Sequence, residues 1–310
     1  KLLGYSSHAA YVLEESMAEN PTNVNNLLNK LWAPALAKAK TEAADIQKEI
    51  AAAKDTFTVA PYDWRYYQEK IRKARYALNE EEIKPYFSLP AVREGAFETA
   101  KKLWGISFVA LNNVPVYHPE VEVYEVRDKD GSHLGLLYAD FFPRESKRSG
   151  AWMTSYRGQS RKDGKRVAPV ISIVCNFTKP VGDNPALLTF DEATTLFHEF
   201  GHALHGLFSN VKHRSLAGTS VPRDFVELPS QIMENWAGDP EVLKSYAKHY
   251  QTKEAIPDAL IEKMQKAGTF DQGFVTTEYL AASLLDMAYH TQKSAILTNA
   301  ETFEKEAMNK

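Results

Sequence analysis

The first third of the chain repeats its apolar residues at a helical period. One face at the spacing i, i+3, i+4 and i+7 is formed by Val24, Leu27, Leu28 and Leu31. We predict a helix that begins at Pro21 with Thr22 as its cap and that is kinked or split at Pro34. Residues 35–54, rich in alanine, lysine and glutamate, continue as an exposed amphipathic helix whose charges form a solvated face.

The next segments remain helical. Residues 61–78 combine aromatic with charged side chains, and residues 80–88 and 90–104 have the pattern of short helices separated by Pro85 and Pro90. No linker-like stretch interrupts them, so we interpret the region up to residue 113 as one helical part.

A β-like pattern begins at Val114. Residues 121–126 alternate apolar and polar side chains, residues 128–131 form a turn signal, and residues 134–142 return as an apolar run. This arrangement predicts a β-hairpin.

Two further segments extend the predicted sheet. Residues 169–177 form a buried strand, and residues 150–154 form a strand at the sheet edge, which together give a sheet of three to five strands. We interpret residues 161–166 as a polar turn between strands and expect no functional role for it.

From Thr189 onward the pattern is helical again, apart from a loop at residues 209–222. The predicted fold is therefore mainly α with a small β-sheet, of the α+β class. We divide the chain into a helical part (1–113), a small sheet (114–180) and a second helical part (181–310).

Composition narrows the class of protein. With 310 residues, 44% hydrophobic and 25% charged, the chain is typical of a globular protein, and the net charge of −3 predicts no nucleic-acid partner and no anionic membrane surface. No apolar run reaches the roughly 18 residues of a membrane span. The single cysteine, Cys175, excludes an internal disulfide framework. We expect a monomer. We also expect a fragment or processed chain, because the sequence begins at Lys1 without an initiator methionine.

A metal-binding pattern lies on the helix that begins after Thr189. Thr189 and Glu192 fit a capping box, and the helix should run to about Phe208. His198 and His202 are four residues apart on one helical face, so both can direct a ring nitrogen at one ion. The helix is otherwise almost entirely apolar, and a metal would offset the cost of burying these polar groups.

A catalytic zinc usually has three protein ligands and one open position. The candidates for the third ligand are His205, His213, Asp224, Glu227 and Glu234. Glu227 is the best geometric choice because residues 227–236 can form a helix beside the first. We place His205 in the packed core or next to the ligands, and Asp224 as a cap or as a group that orients a ligand.

The sequence resembles the thimet oligopeptidase family of zinc peptidases, and within it the bacterial peptidyl-dipeptidases. The resemblance rests on residues 198–205 (HEFGHALH) and 222–231 (PRDFVELPSQ), and further matches extend it over nearly all of the chain. These further matches are residues 116–119, 138–142, 150–153, 174–176 and 284–287.

The resemblance implies a zincin-like catalytic domain with one zinc per chain. Glu227 would be the third ligand and Glu199 the base that takes a proton from the attacking water. Gly150, Ala151, Trp152 and Met153 are candidates for peptide binding, and Asp224, His205 and Gln231 are candidates for supporting the metal ligands.

The resemblance also implies a substrate and its alternatives. We expect short peptides as substrates and release of C-terminal dipeptides, in the cytoplasm, with the periplasm as the alternative compartment. The alternatives to this activity are an oligo-endopeptidase of the same family and an inactive peptide-binding module. Relatives carry segments before Lys1 and after Lys310, so we expect a domain incomplete at both ends, whose 310 residues alone hydrolyse peptides poorly.

Overall fold

The computed structural model describes residues 2–76, 79–294 and 299–309. Its contacts divide the chain into two compact units, one formed by Lys1–Leu78 with Lys263–Lys310 and the other by Asn79–Glu262. Helices predominate and the strands form a small mixed sheet, which confirms the predicted α+β class. None of the helices in the described ranges is long and apolar enough to cross a membrane.

The first unit contains helices and no strand in its described residues. Its helices are α1 (His8–Leu13), α2 (Pro21–Ala52), α3 (Trp64–Tyr76), α11 (Gln272–His290) and α12 (Ala300–Met308). Helix α2 begins at Pro21 as predicted, but Asn20 caps it by accepting from the backbone N–H of Asn23, and Thr22 is already inside the helix. Helix α2 continues through Pro34, so a split there is wrong, whereas a kink at Pro34 stays a prediction.

Helices α2 and α11 pack closely and bury carboxylates between them. Gly273 allows this approach, because a Cβ there would lie 2.5 Å from the Ala39 backbone nitrogen. Glu42 accepts from the backbone N–H groups of Gly273 and Phe274, and thereby caps the start of α11. The prediction that every charge of this helix is solvated is therefore wrong at Glu42, which is 8% exposed.

The second unit combines helices with the sheet. Its helices are α4 (Glu80–Ile83), α5 (Leu89–Trp104), α6 (Phe190–Leu207), α7 (Arg223–Val226), α8 (Leu228–Gly238) and α9 (Pro240–Tyr246), with 3₁₀ turns at Lys84–Tyr86 and Arg214–Leu216. The boundary between the units at residue 262 falls within α10 (Asp258–Ala267).

The sheet has five strands in the order β1-β2-β3-β7-β4. These are β1 (Ser107–Ala110), β2 (Glu122–Arg127), β3 (His133–Asp140), β7 (Val170–Val174) and β4 (Trp152–Arg157). The pair β3/β7 is parallel and the other pairs are antiparallel. The predicted hairpin, buried strand and edge strand are confirmed as β2–β3, β7 and β4. Strand β1 was not predicted, and it lies before Val114, where the predicted β-region starts. It is short, has two exposed residues and has a weak apolar pattern, so its sequence carries little β-strand signal.

The predicted polar turn at residues 161–166 is itself a small hairpin. Strands β5 (Ser160–Lys162) and β6 (Lys165–Val167) pair antiparallel. Asp163 and Gly164 form the turn with positive φ angles of 51° and 76°. Both strands are rich in charged residues and have no apolar face, so the hydrophobic pattern did not predict them.

Helix α6 packs on the sheet and forms the centre of the second unit. The predicted capping box is present, since Thr189 Oγ1 accepts from the backbone N–H of Glu192 and the Glu192 carboxylate accepts from that of Thr189. Phe197 and Phe200 are fully buried, as is Ile171 of β7. The capping box and this apolar packing therefore hold helix α6 in place along its length.

Candidate metal centre

Helix α6 presents His198 and His202 side by side. Their ring centroids lie 4.8 Å apart and the rings meet edge to face. This follows from the spacing of four residues on a helix, which places both side chains on one face, one turn apart.

Glu227 brings a carboxylate oxygen to both histidines. Glu227 Oε2 lies 3.2 Å from His198 Nε2 and 3.1 Å from His202 Nε2. Within the described ranges, these three residues are the group of histidine, cysteine and acidic side chains that could hold a metal ion, with their donor atoms within 4.8 Å of one another. Two imidazole nitrogens and one carboxylate oxygen are a donor set of catalytic zinc, so the residues fit that ion.

The close approach of α8 to α6 makes this convergence possible. Glu227 is the N-cap residue of α8. At Gly201 of α6, an added Cβ would lie 2.6 Å from both the Pro229 carbonyl oxygen and Ser230 Cα. Only a residue without a side chain therefore allows α8 to lie against α6 at this point.

Two residues of α8 hold the candidate ligands in place. Glu234 Oε1 lies 2.6 Å from His198 Nδ1, the ring nitrogen on the side away from Glu227. The buried Ser230 hydroxyl donates to Glu227 Oε2 at 2.9 Å. Sequence analysis considered Glu234 only as a third ligand and did not consider Ser230. The available signal was their spacing from Glu227. Ser230 is at i+3 and Glu234 at i+7, which places all three residues on one face of α8.

Glu199 lies beside the three converging residues and is 5% exposed. Burial, together with the neighbouring Glu227 carboxylate, raises the pKa of Glu199 to about 7, against the opposing influence of His198. Glu199 Oε2 has no hydrogen-bond partner within the described part of the chain. A buried carboxylate with an unused oxygen and a pKa near neutrality is suited to taking up and returning a proton.

The remaining sequence candidates are not among the three converging residues or in the group that lines their cleft. The ring of His205 packs near Phe225, at 6.1 Å between ring centroids, and burial lowers the pKa of His205. Asp224 lies exposed in the first turn of α7 and His213 is exposed ahead of the second 3₁₀ turn. The Gln231 side chain is exposed, and its backbone N–H donates to the Glu227 carbonyl.

The candidate centre opens into a cleft of about 310 Å³ beside the edge strand. Besides the three converging residues and Glu199, its lining consists of Ala151, Trp152, Met153, Thr219 and Val226. Three of the four residues predicted for peptide binding are therefore in the lining. Gly150 lies just outside, with its carbonyl oxygen accepting from Asn176 Nδ2 at 2.7 Å. Thr219 and Val226 carry no sequence signal, because they reach the cleft only through the folding of the loop before α8.

A buried ion pair anchors the loop that leads to β4. Asp140, at the end of β3, accepts from Lys147 Nζ and forms two hydrogen bonds with the Arg144 guanidinium. Lys147 Nζ also donates to the Phe142 carbonyl at 2.8 Å. Since both Asp140 and Lys147 are almost fully buried, the path of the chain into the edge strand is fixed.

The sequence matches a known peptidase family and several curated proteins. The sequence profile of Peptidase family M3 matches residues 1–309. A dipeptidyl carboxypeptidase of Salmonella typhimurium is 45% identical over 310 residues, and one of Escherichia coli is 44% identical over 309 residues, each covering 99% of this chain and 45% of the relative. Oligopeptidase A of Salmonella typhimurium is 38% identical over 294 residues, which cover 94% of this chain and 43% of that protein.

The chain thus spans slightly less than half the length of these curated relatives. The family profile nevertheless covers the chain almost from end to end, including α6, α8 and the sheet that carry the candidate metal centre. On this match, the chain belongs to Peptidase family M3.

Proposed function

We propose that this chain is the zinc-binding catalytic part of a peptidase that hydrolyses short peptides and releases C-terminal dipeptides. The observation that carries this proposal is the convergence of His198, His202 and Glu227 next to the buried carboxylate of Glu199, all at one cleft. One zinc per chain would be held by His198 Nε2, His202 Nε2 and Glu227 Oε2.

The bound zinc would polarise the peptide carbonyl and make water a nucleophile at neutral pH. Glu199 is proposed to take the proton from the attacking water and later to give it to the leaving amine. Its burial and its unpaired Oε2 support this role, since no hydrogen bond within the described chain competes for that oxygen. Met153 and Trp152 line the same cleft as Glu199.

Glu234 and Ser230 are proposed as positioning residues. A carboxylate on His198 Nδ1 fixes which ring nitrogen carries the proton, so that Nε2 is free to bind the metal. The Ser230 hydroxyl holds the Glu227 carboxylate toward the histidines. Neither residue would touch the peptide.

Strand β4 is proposed to hold the peptide backbone. It is the last strand of the sheet and, among the described residues, pairs only with β7, so its other edge offers backbone donors and acceptors. Ala151, Trp152 and Met153 bring the start of this edge into the cleft beside Glu199. A peptide paired with β4 would thus pass in front of the proposed zinc ligands.

Dipeptide release is favoured over internal cleavage by the relatives. The two proteins with 45% and 44% identity are dipeptidyl carboxypeptidases, whereas oligopeptidase A is 38% identical. An oligo-endopeptidase activity is the second candidate, because relatives named oligopeptidase A match 94–96% of this chain.

The two activities can be separated with matched peptides. The intact protein is given one short peptide with a free C-terminus and the same peptide with an amidated C-terminus, and the products are identified by mass spectrometry. We expect a dipeptide from the free peptide and strongly reduced cleavage of the amide. Equal internal cleavage of both would favour the endopeptidase, and no cleavage of either would favour an inactive peptide-binding module.

A further inference from the structure

A patch of basic side chains lies on the second unit at the far end of β4. Residues 157–166 and 212–214 contain seven lysines and arginines and one carboxylate, Asp163, although the whole chain has 37 basic and 40 acidic residues. Six of the basic residues are exposed and define the basic hairpin patch, namely Arg157, Arg161, Lys162, Lys165, Lys212 and Arg214. The net charge of the chain concealed this local excess.

The fold fixes the two segments of the basic hairpin patch against each other. The backbone N–H of Arg161 donates to the Lys212 carbonyl at 3.2 Å, and the Arg161 guanidinium donates to Asn210 Oδ1 at 2.9 Å. The Gln159 side chain accepts from the backbone N–H of Val211 at 2.7 Å. Arg214 lies close to Gly158, where an added Cβ would be 3.2 Å from its Cγ. The positive charges are therefore held together and are not on independent flexible loops.

The described carboxylates leave these charges uncompensated. None of the six residues of the basic hairpin patch forms an ion pair with an acidic side chain among residues 2–76, 79–294 and 299–309, unlike Arg127, Arg144 and Lys179 elsewhere in the same unit. Burial lowers the pKa of the half-buried Arg166 and the charge of Arg161 lowers it further, against the opposing influence of the Asp128 carboxylate. An anionic partner would relieve this crowding.

Strand β4 connects the basic hairpin patch to the candidate metal centre. Met153 lines the cleft and Arg157 ends the same strand, four residues later. At about 3.3 Å per residue this is about 13 Å, the length of four residues of an extended peptide lying alongside. A bulge between Ser155 and Arg157 ends the regular pairing where the patch begins.

We propose that the basic hairpin patch binds acidic side chains of the peptide substrate, about four to six residues before the bond that is cut. This inference rests on the proposed function. Only two residues follow the cut bond when a dipeptide is released, so a segment that reaches Arg157 must lie on its N-terminal side. The partner is therefore an acidic peptide segment.

A peptide is favoured over a nucleic acid by the surroundings of the patch. Residues 157–166 contain no phenylalanine, tyrosine or tryptophan, and the exposed Tyr156 next to Arg157 lies edge to face with Tyr117 and Tyr138. Surfaces for single-stranded nucleic acids instead combine positive charge with aromatic rings on which bases stack. Arg157 of the patch also ends the edge strand β4, and an extended peptide can pair with such an edge.

The test is peptide binding by the intact zinc-loaded protein carrying Glu199→Gln, which prevents turnover. Three fluorescent peptides of equal length carry glutamate, glutamine or lysine at four to six residues before the expected cut, and their Kd values are measured at low and high salt. We expect the glutamate peptide to bind about three- to tenfold more tightly than the glutamine peptide at low salt, with the difference vanishing at high salt. Equal Kd values at low salt would overturn the proposal.

Charge reversal separates the patch from net charge. The double variant Lys162→Glu with Lys165→Glu should abolish the preference for the glutamate peptide. The matched control, Lys102→Glu with Lys248→Glu in a different cleft of the same unit, should retain it. Loss in both pairs, or tighter binding of a single-stranded RNA of equal charge than of the glutamate peptide, would overturn the proposal.

Hydrolysis by the wild-type protein keeps this inference distinct from the proposed function. If the glutamine peptide is cut to a dipeptide and the glutamate peptide binds no better, the role of the basic hairpin patch is refuted while the peptidase activity stands. If no peptide is hydrolysed but the glutamate peptide still binds through Lys162 and Lys165, the proposed activity is refuted and the patch remains an anionic-peptide surface.

Discussion

Both units bury carboxylates, and among the buried carboxylates of the described residues only Glu199 has an oxygen without a hydrogen-bond partner. In the first unit Glu42 accepts two backbone N–H groups of α11, and Asp271 accepts the Trp64 indole N–H with both oxygens within 3.2 Å. In the second unit Glu199 is equally buried, and its Oε2 has no partner in the described chain. Since an unsatisfied buried oxygen costs stability, the contrast marks Glu199 as a site where folding alone does not explain the residue.

The hydrogen-bond partners of a buried carboxylate indicate whether it stabilises the fold or is available for chemistry. A buried carboxylate whose oxygens all accept hydrogen bonds stabilises the fold, as Glu42 does by capping α11. One that lies in a cleft with an unused oxygen, beside two histidines and another carboxylate, is arranged for proton transfer. The same residue type is thus structural in one unit and proposed to be catalytic in the other.

The largest predicted effect comes from comparing the same substitution at the two buried glutamates, Glu199 and Glu42. Glu199→Gln should lower peptide turnover about 10²- to 10⁴-fold while zinc remains bound, because the base is lost and the proposed ligands are untouched. Glu42→Gln should keep turnover but lower the free energy of unfolding by about 1–3 kcal/mol, because a neutral amide is a poorer acceptor for two N–H groups. Turnover rates, metal content and denaturant unfolding are measured for both variants. A loss of turnover in Glu42→Gln alone would contradict the catalytic role proposed for Glu199 and the structural role of Glu42.

An intermediate effect is expected at the residues behind the metal ligands. Glu234→Gln should weaken zinc binding about 10- to 100-fold, because His198 Nδ1 loses its carboxylate partner. Gln231→Ala on the same helix is the matched control and should leave affinity unchanged, since its side chain is exposed. Competition with a zinc chelator measures both. Weakening in Gln231→Ala alone would show that the earlier sequence prediction for this residue was correct and the role given to Glu234 was wrong.

The smallest effect concerns pH and the first unit. Burial raises the pKa of Asp271 to about 6 from its ordinary value of 3.8, with the nearby Glu42 carboxylate adding to it and the Trp64 hydrogen bond opposing it. The folded chain therefore holds this proton more tightly than the unfolded chain, so the stabilisation is complete below about pH 4 and is lost as the pH rises through about 6.

Asp271→Asn should remove that pH dependence and raise the free energy of unfolding at pH 7 by about 1–2 kcal/mol relative to wild type. The amide oxygen can still accept from Trp64 Nε1, which keeps the packing. Denaturant unfolding at several pH values between 4 and 7 is the measurement. A parallel decline in variant and wild type would assign the pH dependence to another group.

Much of the fold was predictable because the signals were local. The capping box at Thr189 and the helical spacing of His198 and His202 each depend on residues within one or two turns, and both are present as expected. The hairpin β2–β3 was likewise predicted from alternation and a turn signal. Local steric and hydrogen-bonding preferences were sufficient in these places.

The missed features depend on contacts between distant segments. Glu234 reaches His198 only because Gly201 admits α8 against α6, and Glu42 caps a helix that begins 230 residues later in the chain, at Gln272. Helix α2 also continues through Pro34, where local preference predicted a kink or a split. The basic hairpin patch combines residues 157–165 with residues 212–214, which sequence analysis treated as unrelated loops.

Metal content measured beside ligand variants tests the central claim most directly. Zinc is quantified by elemental analysis in the intact wild-type protein, in His202→Ala and in Glu199→Gln, after dialysis against a weak chelator. We predict one zinc per chain in wild type and in Glu199→Gln, and almost none in His202→Ala, because only the histidine is a proposed ligand. No zinc in wild type, or full occupancy in His202→Ala, would contradict the assignment of His198, His202 and Glu227 as the metal centre.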